Sequence, residues 1–191
     1  MQQSQWVTFF CEFVKAPRQV GAVMPCSKAV AAAMRHALDT PLLGSALDSG
    51  TSRLSDAAHE LAVVEFGPGT GRITERLHPD NLTLVETDQA FCELLAHRYP
   101  KATVLNVSAI DFLAKQTTPV SVISSIPLLN NPHSNKIKMA VATSYRAGII
   151  QKLVTYSYGP KSPYAECGFA HETRFKQVLR NLPPANIWVY A

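Results

Sequence analysis

From residue 61 onward, short apolar runs rich in β-branched residues alternate with stretches of helical periodicity. Leu61–Phe66, Leu82–Glu86, Ala102–Val107, Val120–Ser124 and Ile149–Tyr156 read as strands, and their near-continuous apolarity predicts burial on both faces. Between them the pattern predicts helices over about Gly71–Leu77, Gln89–Tyr99 and Ile110–Ala114, and one within Asn135–Tyr145. Such alternation predicts an α/β fold with a doubly wound, mostly parallel sheet and helices on both faces. The rhythm changes at the end. Glu172–Leu179 and Asn186–Tyr190 are β-like runs joined through Pro183-Pro184, which predicts an antiparallel C-terminal edge and seven strands in all.

Before residue 61 the pattern is helical. Trp6, Phe9, Phe10, Phe13 and Val14 fall on one stripe of a helix over Ser4–Lys15, which Pro17 closes. That stripe suits a lid packed on the core, or a helix lying in a membrane interface with Lys15 and Arg18 just beyond it. Ser27 is placed to cap a helix from Lys28 to about Leu38, and Pro41–Asp56 reads as a surface connection. At 191 residues the expectation is one domain, with 1–40 as N-terminal helices and 61–191 as the α/β core.

The chemistry concentrates after the first strand, at Glu65-Phe66-Gly67-Pro68-Gly69-Thr70-Gly71. Three alternating glycines let the backbone turn at positive φ and let a ligand approach where a Cβ would collide. The second strand ends in Glu86, followed by Thr87 and Asp88, an acid placed to meet a ribose diol. Dinucleotide sites prefer Gly-x-Gly-x-x-Gly with pyrophosphate on the helix N-terminus. Here an acid stands two positions before the first glycine, which suits a positively charged ligand instead. S-adenosylmethionine, with its ammonium, sulfonium and ribose, fits that pattern. In an open α/β sheet ligands sit beyond the carboxyl ends of the strands. Gly67–Gly71, Glu86–Asp88, Val107–Asp111 and Ser124–Leu128 therefore converge. Pro127 stiffens the last of these, and its carbonyls and the Ser124 and Ser125 hydroxyls could orient an amine beside the sulfonium.

Charge adds partners to the picture. The net +4 hides an asymmetry: residues 37–135 hold six basic and eleven acidic side chains, whereas 136–191 hold eight basic and two acidic. Residues 1–36 are also basic, so anionic partners are expected, either a phospholipid surface or nucleic acid. The four cysteines never form Cys-x-x-Cys, which argues for free thiols and against a metal site. The N-terminal stretch has no cleavable signal pattern and no apolar run spans a bilayer, so a cytoplasmic protein is expected.

The glycine motif, Glu86 and Ser124-Ser125-Ile126-Pro127-Leu128 resemble the bacterial phospholipid N-methyltransferases. So do Val20–Ser27, Tyr158–Pro163 and Asn181–Tyr190, and the likeness spans nearly the whole chain. It implies a Rossmann-like class I methyltransferase that methylates phosphatidylethanolamine towards phosphatidylcholine, peripherally bound to the inner face of the cell membrane. On that reading Glu65, Gly67, Gly69 and Gly71 hold the methionine moiety, and Glu86 and Thr87 the ribose. Ser108, Ala109 and Asp111 flank adenine, and Ser124, Ser125, Pro127 and Tyr158 position the substrate. Tyr156 and Tyr164 would join Tyr158 around the methylated ammonium; Lys161 and Arg174 would meet the lipid phosphate. Partners would be an anionic membrane surface and phospholipid, with no nucleic acid and no metal. One departure is Val107-Ser108-Ala109, where that family carries an acid to bond the adenine amino group. The alternatives are an N-methyltransferase of another amino-lipid, such as ornithine lipid, and an RNA adenine N6-methyltransferase. RNA enzymes carry an aromatic residue where this chain has Leu128.

Overall fold

In the computed structural model, the described residues are 26–41, 61–78, 80–129, 131–181 and 183–191. The expected Ser4–Lys15 helix and nearly all of the Pro41–Asp56 connection lie outside them.

Helices are numbered among the described residues. The order is α1 (Lys28–Asp39), β1 (Ala62–Phe66), β2 (Leu82–Glu86), α2 (Gln89–Arg98), β3 (Thr103–Asn106), α3 (Ala109–Lys115), β4 (Val120–Ser124), α4 (Ser134–Arg146), β5 (Ile150–Ser157), β6 (Glu172–Val178) and β7 (Ala185–Tyr190). The seven strands form one sheet in the order β3-β2-β1-β4-β5-β7-β6. β1 to β5 are parallel, while β7 runs antiparallel to both β5 and β6. The expected fold class is therefore the observed one. Strand order reverses between β1 and β4, which places the crevice of the sheet at their carboxyl ends.

Each face of the sheet buries its own core. Val30, Ala31, Met34 and Ala37 of α1 pack with Leu84, Ile123, Val154 and Ile187 on one side. Ile137 and Val141 of α4 and Leu113 of α3 pack with Val64, Val122 and Leu153 on the other. Ser27 caps α1 as expected: its hydroxyl accepts from the Val30 amide at 3.3 Å. The far end of α1 is held differently. Lys152 of β5, buried at 7% exposure, donates to the carbonyls of Leu38 (2.7 Å) and Thr40 (2.6 Å).

The expected helix over Gly71–Leu77 does not form; only a single 3₁₀ turn, Thr74–Arg76, is present. Gly71 adopts φ +80°, and Thr74 turns its hydroxyl inward to Glu65, so the segment is spent on a bend rather than on a helical face.

Candidate functional site

Glu65 and Glu86 end adjacent parallel strands, with the glycine bend between them. Glu86 is 9% exposed and organises the bend. Its Oε2 accepts from the Gly69 amide at 3.0 Å, and its Oε1 accepts from the amides of Thr87 (2.8 Å) and Asp88 (3.0 Å). One carboxylate thereby fixes two loops relative to each other, with bonds strengthened by its charge.

Glu65 is fully buried. Its Oε2 accepts from the Thr74 hydroxyl at 2.6 Å, and its Oε1 has no hydrogen-bond partner. Burial, with the Glu86 charge adding to it, pushes the Glu65 carboxyl up to about 8, while the Thr74 bond opposes the shift. An orphaned carboxyl oxygen has the chemistry to accept a cation. The neighbouring Cys26 thiol is pushed up to about 12, chiefly by burial and next by Glu65, so it is inert at neutral pH.

The glycines meet three different requirements. A Cβ on Gly69 would meet nothing within 4 Å, which leaves this edge of the bend open to a ligand. A Cβ on Gly67 would stand 3.1 Å from Ile126 Cγ1, so this glycine lets the β4 loop close over β1. A Cβ on Gly71 would lie 2.8 Å from both the ring and the hydroxyl of Tyr99. Tyr99 donates that hydroxyl to the Gly71 carbonyl at 2.9 Å, and Arg98 donates to the Thr70 carbonyl at 3.0 Å. The end of α2 thus clamps the bend.

Sequence reasoning passed over Arg98, Tyr99 and Thr74, and also Asn106. The Asn106 amide donates to the carbonyls of Glu86 (3.1 Å) and Thr87 (3.0 Å), holding the acid loop from the neighbouring strand end. Its place at the carboxyl end of β3 was the available signal; its polarity alone was not.

The remaining site residues are less uniform. Ser108 caps α3, its hydroxyl donating to Asp111 Oδ2 at 2.6 Å and accepting from the Asp111 amide at 3.1 Å. Ala109 is 6% exposed and packs into the core. Ser124 is fully buried, and its hydroxyl accepts from the Ile126 amide at 3.4 Å, so it is spent on the turn rather than open to the crevice. Ser125 is half-buried and its amide donates to the Phe66 carbonyl at 2.9 Å, while Pro127 is exposed. Tyr158 is half-buried just beyond β5, its ring edge-on to Tyr156 at 5.5 Å. Tyr164 does not join them: it is 1% exposed and packs edge-on against Tyr190. Arg174 lies within β6, opposite Trp188, short of the strand's crevice end. Among the described residues no His/Cys/Asp/Glu group could hold a metal, and no helix is long and apolar enough to cross a membrane.

The family model described as ribosomal RNA adenine dimethylase matches residues 46–162, more than half of the chain. A ribosomal RNA small subunit methyltransferase A from Nostoc sp. is 34% identical over 94 residues, 48% of this chain and 33% of the relative. Its namesake from Chlorobium chlorochromatii is 34% identical over 83 residues, 40% of this chain and 32% of the relative. The chain spans about a third of the length of these curated relatives. Two solved structures share the fold. The presumed methyltransferase yhhF of Escherichia coli aligns at TM-score 0.50 and 17% identity, over 68% of this chain and 76% of its own. SMU.472, a presumed methyltransferase complexed with SAH, aligns at TM-score 0.50 and 8% identity, over 69% and 48%.

These matches correct the expected partners. The matched family and both curated relatives are named for ribosomal RNA, which overturns the expectation of no nucleic acid and leaves the phospholipid family and the membrane surface without support. The chain belongs to the ribosomal RNA adenine dimethylase family, within the S-adenosylmethionine-dependent class I methyltransferases.

Proposed function

We infer that the protein transfers a methyl group from S-adenosylmethionine to the exocyclic amino group of an adenine in RNA. One juxtaposition carries the reading: two carboxylates, Glu65 and Glu86, flank a glycine bend at the reversal of strand order, beside the Ser125–Pro127 loop. The bound donor supplies an electrophilic sulfonium methyl. Glu65 Oε1, which has no partner, would accept the ammonium of the methionine end; the open bend at Gly69 would admit it; and Glu86 would face the ribose hydroxyls.

The chain's contribution to rate is positioning. Bringing two reactants into line is worth about 7–11 kcal/mol in well-oriented systems. On this reading, carbonyls of the loop after β4 would accept from the adenine N–H groups and turn the nitrogen lone pair towards the methyl. In the transfer a C–N bond would form as the C–S bond breaks, and the nitrogen would release its proton to water. Leu128 offers no ring for stacking, whereas Tyr158 lies half-buried on the same rim and can take the face of an extruded base. The family match supports the RNA acceptor.

The test is radiolabelled S-adenosylmethionine with adenine-containing RNA in one tube and extracted lipid in another. Label is expected in N6-methylated adenosine after nuclease digestion, and Glu86→Ala should abolish it. Label in lipid alone would refute the RNA acceptor while leaving the donor site intact.

A further inference from the structure

The rim beyond β5 carries charge that the methyl-transfer site does not use. We propose that Lys161 and Arg180 form a ledge that docks the RNA backbone beside the target nucleotide, a reading that rests on the RNA acceptor inferred above.

Topology brings the two cations together at the crevice. β5 ends at the crevice, and β7, antiparallel to it, begins there with Asn186 opposite Ser157. β6 is antiparallel to β7 in turn and ends there with Val178 opposite Ala185. The loop after β5, which holds Lys161, and the turn after β6, which holds Arg180, therefore share the rim of the glycine bend. Both segments are tied down. Asn186 donates to the Gly159 carbonyl at 2.9 Å, the Ser162 and Tyr190 hydroxyls bond at 2.7 Å, and Asn181 accepts from the Ser27 amide at 3.2 Å. From β4 to β6 is three strand steps, about 14 Å at ~4.8 Å each. That is roughly four stacked nucleotides at ~3.4 Å.

Among the described residues this charge has no ion-pair partner. Lys161 and Arg180 are exposed. The ion pairs among the described residues are Arg35–Asp39, Arg72–Glu75 and Lys101–Asp80, none of them within 136–191. That stretch holds eight Lys/Arg against Glu166 and Glu172 alone. Arg174 and Lys176 have a simpler explanation, since β6 is an edge strand among the described residues and charges along such a strand protect it from pairing. Lys161 and Arg180 lie in loops, where edge protection has no purpose.

The experiment measures binding of a short adenine-containing single-stranded RNA across a salt series for wild type, Lys161→Ala, Arg180→Ala and the double variant. Removing one phosphate contact should reduce the slope of log affinity against log salt by ~0.7, which is about fivefold in affinity at ~0.1 M salt. The double variant should lose about 25-fold, equally for all RNA sequences, with cofactor affinity and kcat at saturating RNA unchanged. Lys101→Ala with Lys115→Ala, at the opposite ends of the strands, removes equal charge and should leave the slope unchanged. A double variant that keeps the wild-type slope, or a control pair that loses as much, overturns the ledge while the RNA acceptor stands. Wild-type protein that neither binds nor methylates RNA but sediments with anionic phospholipid vesicles overturns both.

Discussion

The sharpest expectation concerns the proton on Glu65. With its carboxyl held up at about 8, Glu65 is protonated at pH 6.5 in the ligand-free protein. An ammonium placed near its orphaned Oε1 reverses the preference. At ~4 Å and an effective dielectric of ~20 the attraction is about 4 kcal/mol, or about three pKa units, enough to bring the carboxyl to roughly 5. Binding should then release close to one proton from Glu65. Titration calorimetry with S-adenosylhomocysteine, which carries the same ammonium, in two buffers of different ionisation enthalpy reads that number. The wild type minus Glu65→Gln difference isolates it from any proton carried by the ligand. A difference of zero would refute the assignment of Glu65 to the ammonium.

The same shift makes a stability prediction, with its sign fixed by linkage. The folded value, about 8, lies above the ordinary 4.5. The neutral carboxyl thus favours the fold fully below pH 4.5, and that contribution is lost as pH rises to 8, at up to ~1.4 kcal/mol per pH unit. Groups packed around Glu65 have their own directions: burial raises Tyr99 as well as Cys26, and Glu86 and Glu75 add negative charge nearby. Glu65→Gln removes the slope due to Glu65 alone. Urea unfolding from pH 5 to 8 should therefore show wild type losing stability relative to Glu65→Gln; parallel profiles would contradict the burial argument.

Three further substitutions probe the scaffold. Gly71→Ala forces a Cβ into φ +80° and to 2.8 Å from Tyr99, so a loss of about 2–3 kcal/mol is expected by chemical denaturation, with cofactor binding weakened in parallel. Lys152→Met leaves the Leu38 and Thr40 carbonyls without their donor and should cost about 2–4 kcal/mol, with hydrogen exchange rising first at the end of α1. Asn106→Ala frees the backbone of Glu86 and Thr87. It should raise the KM for S-adenosylmethionine several-fold while leaving kcat at saturation nearly unchanged.

The parallel strands were legible because burial on both faces writes them as apolar runs: Val64, Phe66, Leu84, Val122 and Leu153 are all at most 1% exposed. The glycine bend with its two acids was legible for a related reason. Its glycines and acids stand at strand ends, where sequence position dictates spatial position. The 3₁₀ turn was not legible, because an inward Thr74 and a clamp from Tyr99 are contacts between distant residues that no local period records. The loop after β4 was harder to read, on the same ground. Ser124-Ser125-Ile126-Pro127-Leu128 resembles a lipid-enzyme loop, and in the fold Ser124 is buried under the Ile126 amide while Ser125 is bonded to the end of β1. Those residues shape the turn at the reversal of strand order, a turn this fold needs whatever amine approaches it. Acceptor choice must instead reside in groups that face outward on the rim. Lys161 and Arg180 face outward there, and the antiparallel pairing of β5, β7 and β6 puts them on one rim. A motif close in sequence to the chemistry can thus describe the scaffold, while groups that share one rim are scattered along the chain.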